Sequence, residues 1–266
     1  MSVFPLSMLS VFIVIVALSA VGFYKFVYFI SVGYGLAIAG AGLSIACLYS
    51  GRITFPAFML CFLLIIQGLW LSGFLLYREF KSKNYKKDIF DRSNERTVPI
   101  SHKIGLWLSV SVLYLFQTAP VFYRAYNGGE YNLFTIIGLI IMLAGILMEA
   151  LADWEKYRVK QRDPHAFVSS GLYAFCQCPN YLGELLVYTG VLISGIGGVI
   201  GIGQWIVCLL GYLAIAYIML TSTKRMELSH LKHYGADEKY QAYASSTPLL
   251  IPFVPIYHFK DIKWIV

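Results

Sequence analysis

Charge enters this chain only in blocks, and between the blocks lie seven stretches of about 18 or more residues that are almost free of it. They fall roughly at residues 8–24, 30–50, 55–77, 104–123, 132–152, 181–199 and 203–222. At about 1.5 Å of rise per residue, each is long enough to cross the roughly 30 Å hydrocarbon layer of a bilayer as a helix. With 58% hydrophobic side chains, 13% charged and a mean hydropathy of +0.67, the chain has too little polar surface for a water-soluble fold. Long alternating strands are absent, which argues against a β-barrel. The expected fold is therefore all-α: a polytopic seven-transmembrane-helix bundle, one integral membrane domain over residues 1–266. No charge precedes the first stretch, and Phe23, Tyr24 and Lys25 follow it where a cleavage site would need small residues. That helix is expected to be retained.

Seven spans put the termini on opposite faces of the membrane, and lysine and arginine choose the orientation. Of 21 such residues, only Arg52 and Arg124 fall on the side opposite Lys25, the 78–103 loop, the 156–162 block and the segment from 224 onward. The C-terminus is expected in the cytoplasm and the N-terminus across the membrane. The net charge of +7 follows from that bias and favours contact with anionic membrane lipids, not nucleic acid. The run "KSKNYKKD" at 81–88 reads as a solvated, lipid-facing connection. Cys47, Cys61 and Cys208 lie inside apolar stretches and read as small core residues. Cys176 and Cys178 form C-x-C without a nearby histidine or second pair, which is not the spacing of a zinc site.

Polar residues gather in the last part of the chain. Glu149, Asp153, Lys156, Tyr157 and Lys160 recur at intervals that share one stripe of a helix. Asn180, Tyr181 and Glu184 open the sixth stretch, with Asn180 and Glu184 one turn apart. Lys224, Arg225, Glu227, His230 and Tyr234 continue the seventh beyond its apolar part. Single members have ordinary explanations as helix-dipole partners or interfacial tyrosines. Glu149 and Glu184 are harder to explain so, because an unpaired carboxylate within apolar sequence costs on the order of several kcal/mol. The cations Lys156, Arg158, Lys160, Arg162, Lys224 and Arg225 suit phosphate, and the amide and carboxylates suit amides and hydroxyls. NADPH carries both kinds of group, whereas S-adenosylmethionine has no phosphate. Neither nucleotide-binding glycine motif is present, and the glycines of "SGIGGVIGIG" at 194–203 read as a turn between helices.

The run "EALADWEKYRVKQRDPHAFVSSGLYAFCQCPNYLGELLVYTG" at 149–190, followed by "KRMELSHLKHYGADEKYQAYASSTPLLIPF" at 224–253, resembles the C-terminal half of the steroid 5α-reductase family and its bacterial relatives. An acidic and basic helix, G-L-[WY], P-N-[YF]-x-G-E and a closing I-P-F carry the likeness. It implies a seven-helix bundle that holds NADPH between its C-terminal helices and delivers hydride to the β-carbon of an enone in a steroid-like lipid. On this likeness the N-terminal half, residues 1–126, is the substrate side, and residues 132–266 hold the cofactor. Asp153, Asn180 and Glu184 fall on cofactor-holding positions of the motif, as do Glu149, Tyr173, His230 and Tyr234. Gln177 and Cys178 stand where the isoprenylcysteine methyltransferase branch reads Arg and His, which weakens a methyltransferase reading. The steroid reductases also hold the substrate ketone with a Gln and a Glu on an early helix, whereas this chain has no acidic residue before Glu79.

Enone reduction needs a hydrogen-bond donor on the carbonyl, in a dry cavity where water does not compete. The candidates are Tyr34, Gln67, Tyr114 and Gln117; a tyrosine keeps its proton at neutral pH. The rival readings are an S-adenosylmethionine-dependent membrane methyltransferase and a non-enzymatic transport or structural protein. Transporters often carry two similar inverted halves, whereas here the polar residues that grow out of the membrane helices gather in the C-terminal half, which favours an enzyme with one cofactor site.

Overall fold

The computed structural model describes residues 2–82 and 98–264. Among these residues the chain is helical, with no strand: α1 (Leu6–Ser19), α2 (Val32–Leu48), α3 (Phe55–Lys81), α4 (Ile100–Asn127), α5 (Leu133–Arg162), α6 (Pro179–Ser194), α7 (Gly201–Tyr234) and α8 (Glu238–Ser246). Each of the seven apolar stretches becomes one of α1 to α7. Among the described residues six helical segments are long and apolar enough to cross a membrane, and the chain is an integral membrane protein. The sixth stretch accounts for the difference: α6 has 16 residues and ends at Ser194, where the glycine turn begins. The "KSKNYKKD" run lies largely outside the described residues. At 30 and 34 residues, α5 and α7 reach about 45 and 51 Å at 1.5 Å per residue. They exceed the hydrocarbon thickness, and the excess length carries the charged blocks.

Helix boundaries follow local chemistry. Proline stands at the start of α3 and α6, where its missing N–H costs nothing. Gly128 closes α4 at φ +69°, a backbone that glycine adopts without strain. Inside α4, Pro120 has no N–H to give the Phe116 carbonyl. That carbonyl lies against Gly211 of α7, where any side chain would collide with it.

The chain divides into two compact units. The first, Met1–Ile140 with Gly190–Tyr212, centres on α2, which packs against α1, α3 and α4. Small residues allow this: Gly35 and Gly42 of α2 leave room for Ser72, Gly68 and Cys61 of α3, and Gly68 reciprocates against Ala39. α1 and α4 run antiparallel, with Trp107 Nε1 donating to Ser19 Oγ at 3.0 Å at one end and Tyr123 Oη to the Val3 carbonyl at 2.6 Å at the other. Glu79, the first acidic residue, is buried near the end of α3; it accepts from Tyr28 Oη at 2.6 Å and pairs with Lys25. Arg124 is 1% exposed. Its guanidinium donates to the carbonyls of Ser194 at 2.6 Å, Glu130 at 2.7 Å and Ile196 at 2.7 Å, clamping the turn between α6 and α7. Cys61 and Cys208 are core residues as expected, whereas Cys47 is exposed on α2.

The second unit, Ile141–Thr189 with Leu213–Val266, holds the ionisable cluster. Gly145 of α5 and Gly183 of α6 face each other so closely that a Cβ on Gly145 would stand 2.6 Å from the Gly183 carbonyl. Cys176, Cys178 and Leu182 form a core with Leu249, Leu250 and Phe259, which brings the C-terminal tail onto the start of α6.

Candidate functional site

The buried acids anchor the cluster. Glu149 is 3% exposed and Glu184 8%. A Cβ on Gly183 would lie 2.6 Å from the Glu149 nitrogen and 2.9 Å from its Cβ, so α5 and α6 touch where the two acids sit. Two carboxylates at one level of a touching helix pair repel when both are ionised and are stabilised by donors around them. Neither is without a partner. Asp153, one turn beyond Glu149, shares electrostatic contact with Tyr181, as do Glu184 of α6 and Arg225 of α7. Asn180, half-buried, begins the same face of α6.

The cationic side is built from α5 and α7. Lys160 Nζ donates to Tyr234 Oη at 2.5 Å and to the Pro164 carbonyl at 3.0 Å. His230 is half-buried, its ring 5.5 Å from that of Tyr234 and 6.2 Å from that of Tyr240. The charges of Lys156 and Lys160 act on it. Phe167, Tyr240 and Tyr243 extend this aromatic wall: Phe167 stacks on Tyr243 at 5.7 Å and meets Tyr240 edge-on at 5.4 Å. Burial pushes the Tyr240 hydroxyl up to about 12, so it stays protonated as a donor.

Two of the expected cofactor residues are engaged elsewhere. Lys224 donates to the Ile262 carbonyl of the tail at 2.9 Å. Tyr173 is buried, its hydroxyl donating to the Ala152 carbonyl at 3.3 Å; burial, with the Asp153 charge adding, raises its pKa. Arg225 is exposed and bonded to Ser222 Oγ at 3.0 Å.

Gln177, where the methyltransferase branch reads arginine, is a staple. Its amide donates to the Thr247 carbonyl at 2.8 Å and the Ala244 carbonyl at 3.2 Å, and its backbone N–H to the Pro248 carbonyl at 2.9 Å. Burial pushes the neighbouring Cys176 thiol up to about 11, far from a reactive thiolate. Glu227 latches the tail, a role that its place in the sequence does not signal: this acid, 2% exposed, meets His258 Nδ1 at 3.0 Å and accepts from the Phe259 N–H at 2.8 Å. Tyr240 and Tyr243 join the wall from α8, and the only local sign of them in the sequence is their i, i+3 spacing in "YQAY".

The carbonyl-donor candidates all lie in the first unit. Tyr114 Oη donates to the Phe29 carbonyl at 2.7 Å, and its ring lies 4.9 Å from that of Tyr34. Gln67 and Gln117 are each 2% exposed.

A family model described as "Protein of unknown function (DUF1295)" matches residues 12–247. The chain belongs to this family. The DUF1295 match reaches into every helix and takes in the whole ionisable cluster, but stops before the tail residues that meet Glu227 and Lys224. No curated protein and no solved structure matches the chain significantly.

Proposed function

We propose that this chain is a membrane-embedded, NADPH-dependent reductase of an enone C=C bond in a steroid-like lipid. The observation that supports this is the make-up of the second unit, where two buried acids on touching helices accompany a lysine-bearing, aromatic-walled face.

That donor set fits the cofactor's chemistry. Lys156, Lys160 and Arg225 supply charge for phosphates. Asp153, Asn180, Glu149 and Glu184 offer acceptors and an amide for ribose hydroxyls and a carboxamide, and His230, Tyr234 and Tyr240 offer flat faces. Lys224 and Tyr173 contribute less, since the Lys224 ammonium is tied to the C-terminal tail at Ile262 and the Tyr173 hydroxyl is buried against the Ala152 carbonyl. When bound, NADPH supplies the hydride equivalent such a reduction needs. The acids orient amide and hydroxyl donors among apolar helices that exclude water, and the lysines balance negative charge there. Of the candidate donors to the lipid's carbonyl, Tyr34, Gln67 and Gln117 remain, since the Tyr114 hydroxyl already donates its proton to the Phe29 carbonyl.

A thermal shift of the full chain in detergent tests the assignment. NADPH is expected to raise the midpoint more than NADH or S-adenosylmethionine does. Stabilisation by S-adenosylmethionine alone would overturn the reductase reading in favour of a methyltransferase.

A further inference from the structure

The side chain of Gln117 is buried, and neither its Nε2 nor its Oε1 has a hydrogen-bond partner among the described residues. The same holds for the buried indole N–H of Trp70 on α3. Buried amides in membrane helices normally bond across helices, and an unmet donor or acceptor carries its full desolvation cost.

These atoms share a level of the first unit. Gly68 of α3 lies against Gly35 and Ala39 of α2, and Trp70 is two residues on, about 3 Å along the axis. Tyr114 of α4 meets Tyr34 of α2 at 4.9 Å, and further along Phe122 meets Tyr49 at 5.9 Å, so α2 and α4 run in the same direction. Gln117, about 4.5 Å past Tyr114, therefore falls beside the Gly35–Ala39 stretch as well. Unmet polar atoms from two helices thus lie at one depth of an apolar interior.

We infer that the first unit holds a binding site for a lipid-soluble molecule bearing a neutral group that both donates and accepts hydrogen bonds: a hydroxyl, a carboxylic acid or a carboxamide. The chemistry follows from Gln117. Its Nε2 and the Trp70 indole need an acceptor, and its Oε1 needs a donor. A ketone or an ether would leave Oε1 unmet, and an ion would be desolvated without a counter-charge. The inference needs no cofactor and does not rest on the reductase reading.

The test uses the full chain in detergent and two alcohols of different shape, hexadecanol and cholesterol, each against its own methyl ether, which accepts but cannot donate. Retention is measured with labelled compounds. At least one alcohol is expected to bind about tenfold more tightly than its ether, the value of roughly one good hydrogen bond. Gln117→Leu is expected to remove that preference while keeping or raising the melting midpoint, because an unmet amide leaves the core. If neither alcohol outbinds its ether, or if the preference survives Gln117→Leu, the site is refuted. Should Gln117→Leu fail to fold, Gln117→Met and Trp70→Phe decide in the same way, each being required to reduce the preference. An NADPH thermal shift run in parallel separates the two readings, since its failure beside intact alcohol selectivity would remove the reductase assignment alone.

Discussion

Glu184 can be changed to glutamine with its shape kept and its charge removed. If this buried acid accepts from the cofactor, Glu184→Gln is expected to weaken NADPH binding by about 1–3 kcal/mol, the range for losing a charge-assisted hydrogen bond; a ligand titration followed by thermal shift reads it. Cys176 behaves differently, because it packs with Leu249 and Leu250 in a core and its thiol is pushed up to about 11 by burial. Its raised pKa favours the protonated form in the folded state. The associated stability is complete below about 9, the ordinary thiol value, and is lost as pH rises through about 11. Alkylation of Cys176 at about pH 8, below that range, is expected to be slow in the folded chain and fast after denaturation, as mass spectrometry of the labelled peptide would record. Rapid labelling without unfolding would contradict its burial. Asn180 and Glu184 were legible as a pair because one helical turn separates them. The roles of Gln177 and Glu227 were not, since their partners lie 70 and 31 residues away and leave no local pattern.

Among the elements, the α5–α6 pair decides whether the acids come together. Gly183 and Gly145 replace side-chain packing by backbone contact, as small residues do in membranes where apolar side chains gain nothing by leaving lipid. Gly183→Val is expected to force α6 away from α5, at a cost of about 1–3 kcal/mol for overpacking, and to lower both the melting midpoint and NADPH affinity. An unchanged midpoint would mean that the helices do not meet at this glycine. By contrast, Gly73 and Gly105 face open space, so alanine at either serves as a control. The helices themselves were visible as charge-free stretches, because hydrocarbon thickness sets a length that the sequence must honour. Their outward and inward faces were less visible. Cys47 sits in a run as apolar as that around Cys61, yet one is exposed and the other buried, since lipid and protein interior select the same residue types.

For the whole molecule, the lysine and arginine distribution predicts which face meets the cytoplasm. A reporter fused after Val266 is expected to report cytoplasm, and Glu130→Cys, exposed after α4, to react with an impermeant reagent from the opposite side. Labelling from the cytoplasmic side would reverse the orientation or remove a span. The two exceptional cations turn out to be occupied: Arg52 lies 4.9 Å from the centre of the Tyr49 ring, and Arg124 is sealed among carbonyls. That sealing bears on biogenesis. The Ser194 carbonyl that receives Arg124 is encoded 70 residues further along the chain, and that of Ile196 lies 72 residues on. α4 therefore leaves the ribosome well before these two acceptors exist. Until α6 and the turn after it are synthesised, the nascent protein must keep a guanidinium in contact with water or lipid headgroups. The first four helices cannot reach their final packing by themselves, and the N-terminal part of the bundle is completed only by chain made much later.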